Sequence, residues 1–245
     1  MSTLLLRLAG PMQSWGVRGR FTRRTTEMQP TKSGVVGLLA AALGRRRTDP
    51  IEDLAQLSLG VRVEQSGKLM RDFQTAQRTG VTAPLSYRYY LSDAVFLAAV
   101  GGPDDFVQSL EAAMASPVFP LYLGRRAFPP AGQLSLGVHR ESMPELLRAT
   151  PWKASPRVMK DNHNHVVKVR IVRDLLPGET PTATYEDEPV SFDPDRRVFG
   201  IRQVVEDWED IVNPAVPAQP PGTSAPEPVF DKHDPFSYLG GQIVS

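Results

Sequence analysis

A chain of 245 residues, 41% hydrophobic and 22% charged, is long enough to bury a sizeable core in one large domain or two modest ones. It has no cysteine, which excludes disulfides, thiolate metal sites and cysteine nucleophiles, and no apolar run reaches the roughly 18 residues of a membrane span. The net charge of +1 hides an asymmetry: residues 1–90 hold 14 Lys+Arg against 6 Asp+Glu, while residues 174–245 hold 4 against 14. A basic half of this kind suits a polyanionic partner, whose counterions it would release; the alternative is that the acidic end folds over the basic one.

In chain order, MSTLLLRLAG has no basic lead and too short an apolar run for a signal peptide, so a cytoplasmic protein with no membrane partner is expected. TLLLRLA reads as a central strand that breaks at Gly10-Pro11 into a loop carrying Gln13, Ser14 and Trp15. RGRFTRR then places Arg18, Arg20, Arg23 and Arg24 around Phe21 in a loop. In PTKSGVVGLLAAALG, Thr31 is a candidate N-cap, and Val35, Leu38, Leu39, Ala42 and Leu43 share a stripe that ends at Gly44 and three arginines. PIEDLAQL suits a short helix and SLGVRVEQSG a strand. Residues 71–90 hold few aliphatics and read as a projecting hairpin.

AVFLAAV (94–100) is a buried strand. PDDFVQSLEAAMAS is a helix with Pro103 near its start and Asp104 and Asp105 at its positive end. PLYLGRRAF is assigned the next strand and its turn. This order gives an α+β fold with a ferredoxin-like, RRM-like βαββαβ core over residues 1–140. Helical cues thin out after about residue 140. VVKVRIV and RRVFGIRQVV are strands of a smaller β-rich lobe over 141–212, followed by a Pro-rich C-terminal arm over 213–245 whose low-complexity part, 213–228, is expected to have no packed structure of its own.

The chain has no GxxxxGK[ST], HExxH or GxSxG, so nucleotide hydrolysis, zinc proteolysis and serine esterase chemistry have no visible apparatus; no cofactor and no metal is expected. His163 and His165 with Lys160 nearby could serve a metal-independent ribonuclease or form an ordinary polar turn. The basic sites point to RNA. Arginine binds phosphate in bidentate fashion or lies flat on a base. Lys32 and Ser33 begin a helix, where lysine opposes the macrodipole unless an anion also binds the free amides. Gly124, preceding Arg125 and Arg126, would let an RNA backbone approach closely. Trp15 could stack on a base or plug the core, and Tyr87, Tyr89 and Tyr90 around Arg88 carry the same two readings.

LRLAGPMQSWG, PTKSGVVGLLAAALG and YLGRRAF, in this order and spacing, resemble the type I-E Cascade members of CRISPR-associated protein family five, in the RAMP superfamily. The resemblance runs from residue 4 to about residue 130. It implies a non-catalytic subunit that binds the 5′ handle of the CRISPR guide RNA (crRNA) and caps the backbone filament. The partners implied are a backbone filament subunit met through a thumb hairpin, the large subunit and, indirectly, target DNA. Carried over by position, Gln13, Trp15, Arg18, Arg20, Arg23, Arg24, Lys32 and Ser33 line the handle pocket. Arg78 and Arg88 belong to the thumb, and Gly124, Arg125 and Arg126 to a glycine-rich loop. A related subtype cleaves the repeat with Tyr, Lys and His; Lys160 with His163 is the loose analogue here, so repeat cleavage stands as the alternative function.

Overall fold

The computed structural model describes residues 1–16, 23–75 and 85–218, with Arg23 by its backbone alone. β1 (Ser2–Gln13) lies inside the sheet because both of its faces are apolar: Leu4, Leu6 and Leu8 point to one side and Leu5 to the other, all buried. It pairs antiparallel with the long β5 (Leu85–Gly102) and with β6 (Ser135–His139). β3 (Ser58–Gln65) pairs antiparallel with the other edge of β5. These four strands therefore lie in the order β6-β1-β5-β3.

Helices cover both faces. α1 (Lys32–Ala42) and α3 (Asp104–Ala115) pack Val35, Leu39, Val107 and Leu110 on the Leu4–Leu6–Leu8 side, and the short α2 (Glu52–Ala55) adds Leu54. The Thr31 hydroxyl accepts the Gly34 N–H at 3.2 Å, which satisfies one free donor at the start of α1. On the opposite face α4 (Met143–Ala149) places Met143, Leu146 and Leu147 against Leu5, Leu97 and Ala99. α4 was not expected, although Ser142-x-x-Glu145 is a capping box with Pro144 in the first turn. A further short helix, α5 (Pro156–Asp161), follows.

Beyond β3 the sheet continues through β7 (Val166–Asp174), β9 (Val198–Val212) and β8 (Ala183–Ser191), all antiparallel, so the strands of 141–212 extend the same sheet. Val167, Val169 and Ile171 face inward as their alternation requires. Arg62 and Glu64 of β3, both fully buried, pair at 2.5 Å, and Arg62 also donates to the carbonyls of Leu147, Thr150 and Pro151, tying the loop after α4 to the sheet. Residues 68–75 form β4 (Lys68–Thr75), which pairs with residues 85–92 as an exposed hairpin; its tip lies outside the described residues.

Three expectations change. β1 does not stop at Gly10-Pro11 but continues to Gln13, the ladder to β5 skipping Pro11, which has no N–H to give. PLYLG is not a strand. Leu123 receives its turn closure from Phe128, whose carbonyl accepts the Leu123 N–H at 2.7 Å, with Pro120, Pro129 and Pro130 flanking; the edge strand is Ser135–His139. Finally, the start of the C-terminal arm is packed. Asn213 is fully buried and donates to the carbonyls of Met159 and Asn162 at 3.0 and 2.8 Å; the segment from residue 219 lies outside the described residues. No helix among the described residues is long and apolar enough to cross a membrane.

Candidate nucleic-acid interface

Gln13 and Trp15 form an internal brace. The fully buried Gln13 amide donates to the carbonyls of Ala94 at 2.7 Å and Leu8 at 3.2 Å, and its oxygen accepts the Trp15 indole N–H at 3.0 Å. The Trp15 N–H donates to the Thr26 hydroxyl at 2.8 Å, and its ring fills the space beside Gly34, where a Cβ would come within 2.7 Å. Trp15 is 1% exposed, so its ring offers no face to a base and the core reading holds. Ser14 donates its N–H to the Leu123 carbonyl at 3.1 Å, while its own carbonyl lies against Gly124. The room that Gly124 provides is taken by the Ser14 backbone, not by a nucleic-acid strand.

This corner delivers arginines to one place. β2 (Arg23–Arg24) runs parallel to β5 with Arg23 opposite Tyr87 and Arg24 opposite Arg88, so two cations are neighbours across the ladder. From the Gly124 turn, Arg125 lies over the Tyr90 ring at 4.6 Å and points an N–H at the Tyr89 carbonyl at 3.5 Å. Tyr90 is itself held edge-on to Phe128, with centroids 5.0 Å apart. Burial, and then the charges of Arg88 and Arg24, push the Arg125 guanidinium below its ordinary value. Asp72 stands opposite Arg88 on β4, yet its carboxylate accepts the Phe73 N–H at 2.7 Å, and among the described residues no ion pair joins it to Arg88. Among the described residues, Arg88 Nε and Arg125 Nη1 are buried without an acceptor. A buried guanidinium nitrogen without an acceptor is costly, and an anion between Arg24, Arg88 and Arg125 would satisfy it.

The profile of the CRISPR-associated protein (Cas5) family matches residues 3–205. The chain belongs to the CRISPR-associated Cas5 family. It is 35% identical over 169 residues to the CRISPR system Cascade subunit CasD of Escherichia coli (strain K12), covering 59% of this chain and 74% of that protein. A solved structure described as a CRISPR RNA-guided surveillance complex contains a chain 32% identical, with a TM-score of 0.70, over 90% of this chain and 95% of its own. Another, described as the crystal structure of a Cas protein, is 37% identical with a TM-score of 0.66, over 89% and 100%. The mixed architecture with an antiparallel sheet agrees with these relatives.

Elsewhere this Cas5 chain spends its polar groups internally. Lys32 and Ser33 are buried. The Lys32 N–H at the start of α1 donates to Asp187 at 2.8 Å, and its ammonium lies 3.0 Å from Glu188 and 3.4 Å from Asp174. Arg202 holds Asp187 through two bonds of 2.9 and 2.8 Å and reaches Asp174 at 2.6 Å. Burial raises the Glu188 carboxyl above its ordinary value. Carboxylates of the acidic third thus meet the helix dipole that an RNA phosphate was expected to meet.

Arg126 is exposed beside the arginine cluster, and Arg18, Arg20 and Arg78 lie outside the described residues. Lys160 and His163 are exposed, and the His165 ring lies 2.9 Å from the Val216 carbonyl. No cluster of metal-ligating side chains occurs among the described residues. Tyr90 was read as a sheet-face residue or a base platform, and its packing on Phe128 was not foreseen. Its only signal is the Tyr-rich run around Arg88, which does not reveal that the Gly124 turn packs on it.

Proposed function

We propose that this Cas5 chain is a non-catalytic RNA-binding subunit of a type I-E Cascade surveillance complex that holds the 5′ handle of the crRNA. The observation that carries the reading is that two of the three buried guanidinium nitrogens without acceptors among the described residues, Arg88 Nε and Arg125 Nη1, share one cluster with Arg24. Kinship with the Cascade subunit CasD and with a chain of an RNA-guided complex supports crRNA as the source of the anion. The β6-β1-β5-β3 order with α1 and α3 on one face supports a ferredoxin-like core, with residues 1–140 as its domain and 141–212 as the added β-rich part.

The β4–β5 hairpin fits the thumb role toward a backbone filament subunit. It exposes Leu69, Phe73, Leu85 and Tyr87, with Phe73 directly opposite Tyr87, an apolar surface that gains by being covered in an assembly. Of the acceptor-free arginines, Arg88 belongs to this hairpin and Arg125 reaches its Tyr90 from the Gly124 turn. In this reading the handle backbone enters where hairpin, β2 and the Gly124 turn converge, and the large subunit packs nearby.

The test is binding of a labelled handle RNA by the full chain as salt is varied. R88A/R125A is expected to weaken binding at least tenfold and to reduce the slope of log K against log salt by about 1.4, two single-strand phosphate contacts. Unchanged affinity and slope overturn the reading.

A further inference from the structure

β9 is paired by halves. β8 runs beside residues 198–204 and stops, while β7 runs beside 204–212 on the opposite side. The Asn213 N–H meets the His165 carbonyl at 2.7 Å, which sets the parity of the ladder: odd-numbered residues from 205 to 213 bond to β7, and even-numbered ones turn N–H and C=O the other way. Thr182 serves the first of these, donating its N–H to the Val204 carbonyl at 2.9 Å and accepting the Glu206 N–H on its hydroxyl at 2.7 Å. Beyond it lies an open strand edge. The Trp208 N–H is taken by the neighbouring Asp207 carboxylate at 2.8 Å, and those of Asp210 and Val212 have no acceptor among the described residues. Trp208 and Val212 are 57% and 55% exposed on one face of this edge, with Val166 exposed opposite Val212.

A bare edge with apolar side chains is a template for another strand. Three observations point to which one. The chain itself leaves the sheet here: after Val212 it is pinned by the Asn213 amide on the Met159 and Asn162 carbonyls and by the His165 ring against the Val216 carbonyl. The sequence then passes through 17 residues (219–235), rich in proline, to the uncharged, strand-forming run Phe236-Ser237-Tyr238-Leu239. A coil of that length spans about 20–25 Å and a Pro-rich one more, against an edge of about 20 Å from Glu206 to Val212. Phe236 and Tyr238, two apart, fall on one face of a strand, as Trp208 and Val212 do on β9. A second copy of this chain fits less well, since EDWED laid antiparallel against itself sets carboxylates opposite carboxylates, whereas 236–239 has none. A tethered segment also competes at an effective concentration on the order of millimolar.

We propose that residues 236–239 of the C-terminal arm add as a short strand to the open edge of β9 at 209–212, with Phe236 and Tyr238 packed on Trp208. The arm then shields, within one molecule, an edge that other chains could pair with.

Trp208 reports on this directly, because the other two tryptophans, Trp15 and Trp152, are buried. Acrylamide quenching, with the emission of W208F subtracted, and amide exchange over residues 206–212 are measured on the full chain at several protein concentrations, for wild type and F236S/Y238S. Trp208 is expected to be shielded in the wild type. F236S/Y238S raises its quenching several-fold and speeds exchange of the Asp210 and Val212 amides about tenfold or more, while exchange in β1 stays as it was. Free quenching of Trp208 in the wild type, or equal values in the two proteins, overturns the proposal. Shielding that grows with protein concentration and ignores F236S/Y238S assigns the edge to a second copy, and shielding that appears only when other Cascade subunits are added assigns it to a partner's strand; either result overturns it. So does faster exchange that β1 shares, which marks a general loosening. None of these readouts involves RNA, so their failure is distinct from failure of the handle-binding test.

Discussion

Gly124 approaches Ser14 so closely that a Cβ on it would fall 1.7 Å from the Ser14 carbonyl oxygen, at a φ of +86°. Gly124→Ala must therefore displace backbone as well as adopt a left-handed conformation, and a loss of about 2–4 kcal/mol is expected. Gly178 has a φ of +87° but nothing within 4 Å, so Gly178→Ala isolates the conformational part, about 1 kcal/mol. Thermal melts of the two variants check the difference. Handle binding should fall only in Gly124→Ala, since that turn carries Arg125.

Gln13→Leu removes the partner of the Trp15 indole and of the Ala94 and Leu8 carbonyls in one step. A destabilisation of about 2–3 kcal/mol is expected, read as a lower urea midpoint. Weakened RNA binding with an unmoved midpoint would assign Gln13 to the RNA instead.

Phosphate is expected to raise the melting temperature of the wild-type chain above that in chloride at equal ionic strength, since it satisfies Arg88 and Arg125 in the folded state alone. Arg125→Ala should lose this increment. In chloride it should melt at or above the wild type in temperature once its lost packing on Tyr90 is allowed for by Arg125→Gln, because a buried like charge has gone.

Asp187→Ala leaves Arg202 and the first amide of α1 without their shared carboxylate. A cost of about 3–5 kcal/mol follows from breaking a buried pair, and Asp187→Asn, which keeps an acceptor, should cost less. Denaturant unfolding of both variants tests this order.

Arg173 holds Glu179 through two bonds of 2.6 and 2.7 Å, and the Leu176 N–H adds a third, lowering the Glu179 carboxyl to about 2 from an ordinary 4.5. A carboxyl depressed by folding stabilises the protein above its unfolded value, and that contribution is lost as pH falls from about 4.5 to about 2. Over this window Glu179→Gln should show a shallower loss of stability than the wild type.

Much of the sheet was legible because its strands are apolar on both faces: β1, residues 94–100 of β5 and the Val167–Val169–Ile171 alternation read directly. α1 was legible from Thr31 and its stripe. α4 was missed although Ser142 and Glu145 form a capping box, because only two turns follow it. The candidate site was half legible. Arg24, Arg88 and Arg125 were named, but no local pattern shows that β2 sets Arg24 beside Arg88 or that Trp15 turns inward. Lys32 read as an anion-binding lysine because its carboxylates lie more than 140 positions away, beyond the reach of any sequence window.

The contact between the Lys32 amide and Asp187 spans 155 positions. At ordinary translation rates of 5–20 residues per second, about 8–30 s pass between synthesis of the lysine and of the carboxylate that receives it. Through that interval the first helix of the nascent chain keeps its Thr31 cap but lacks the acceptor of its Lys32 amide, and the ammonium is without these carboxylates and kept in water. A ribosome stalled short of residue 187 should accordingly display a protease-sensitive amino-terminal half, which closes only when the last third of the polypeptide has emerged.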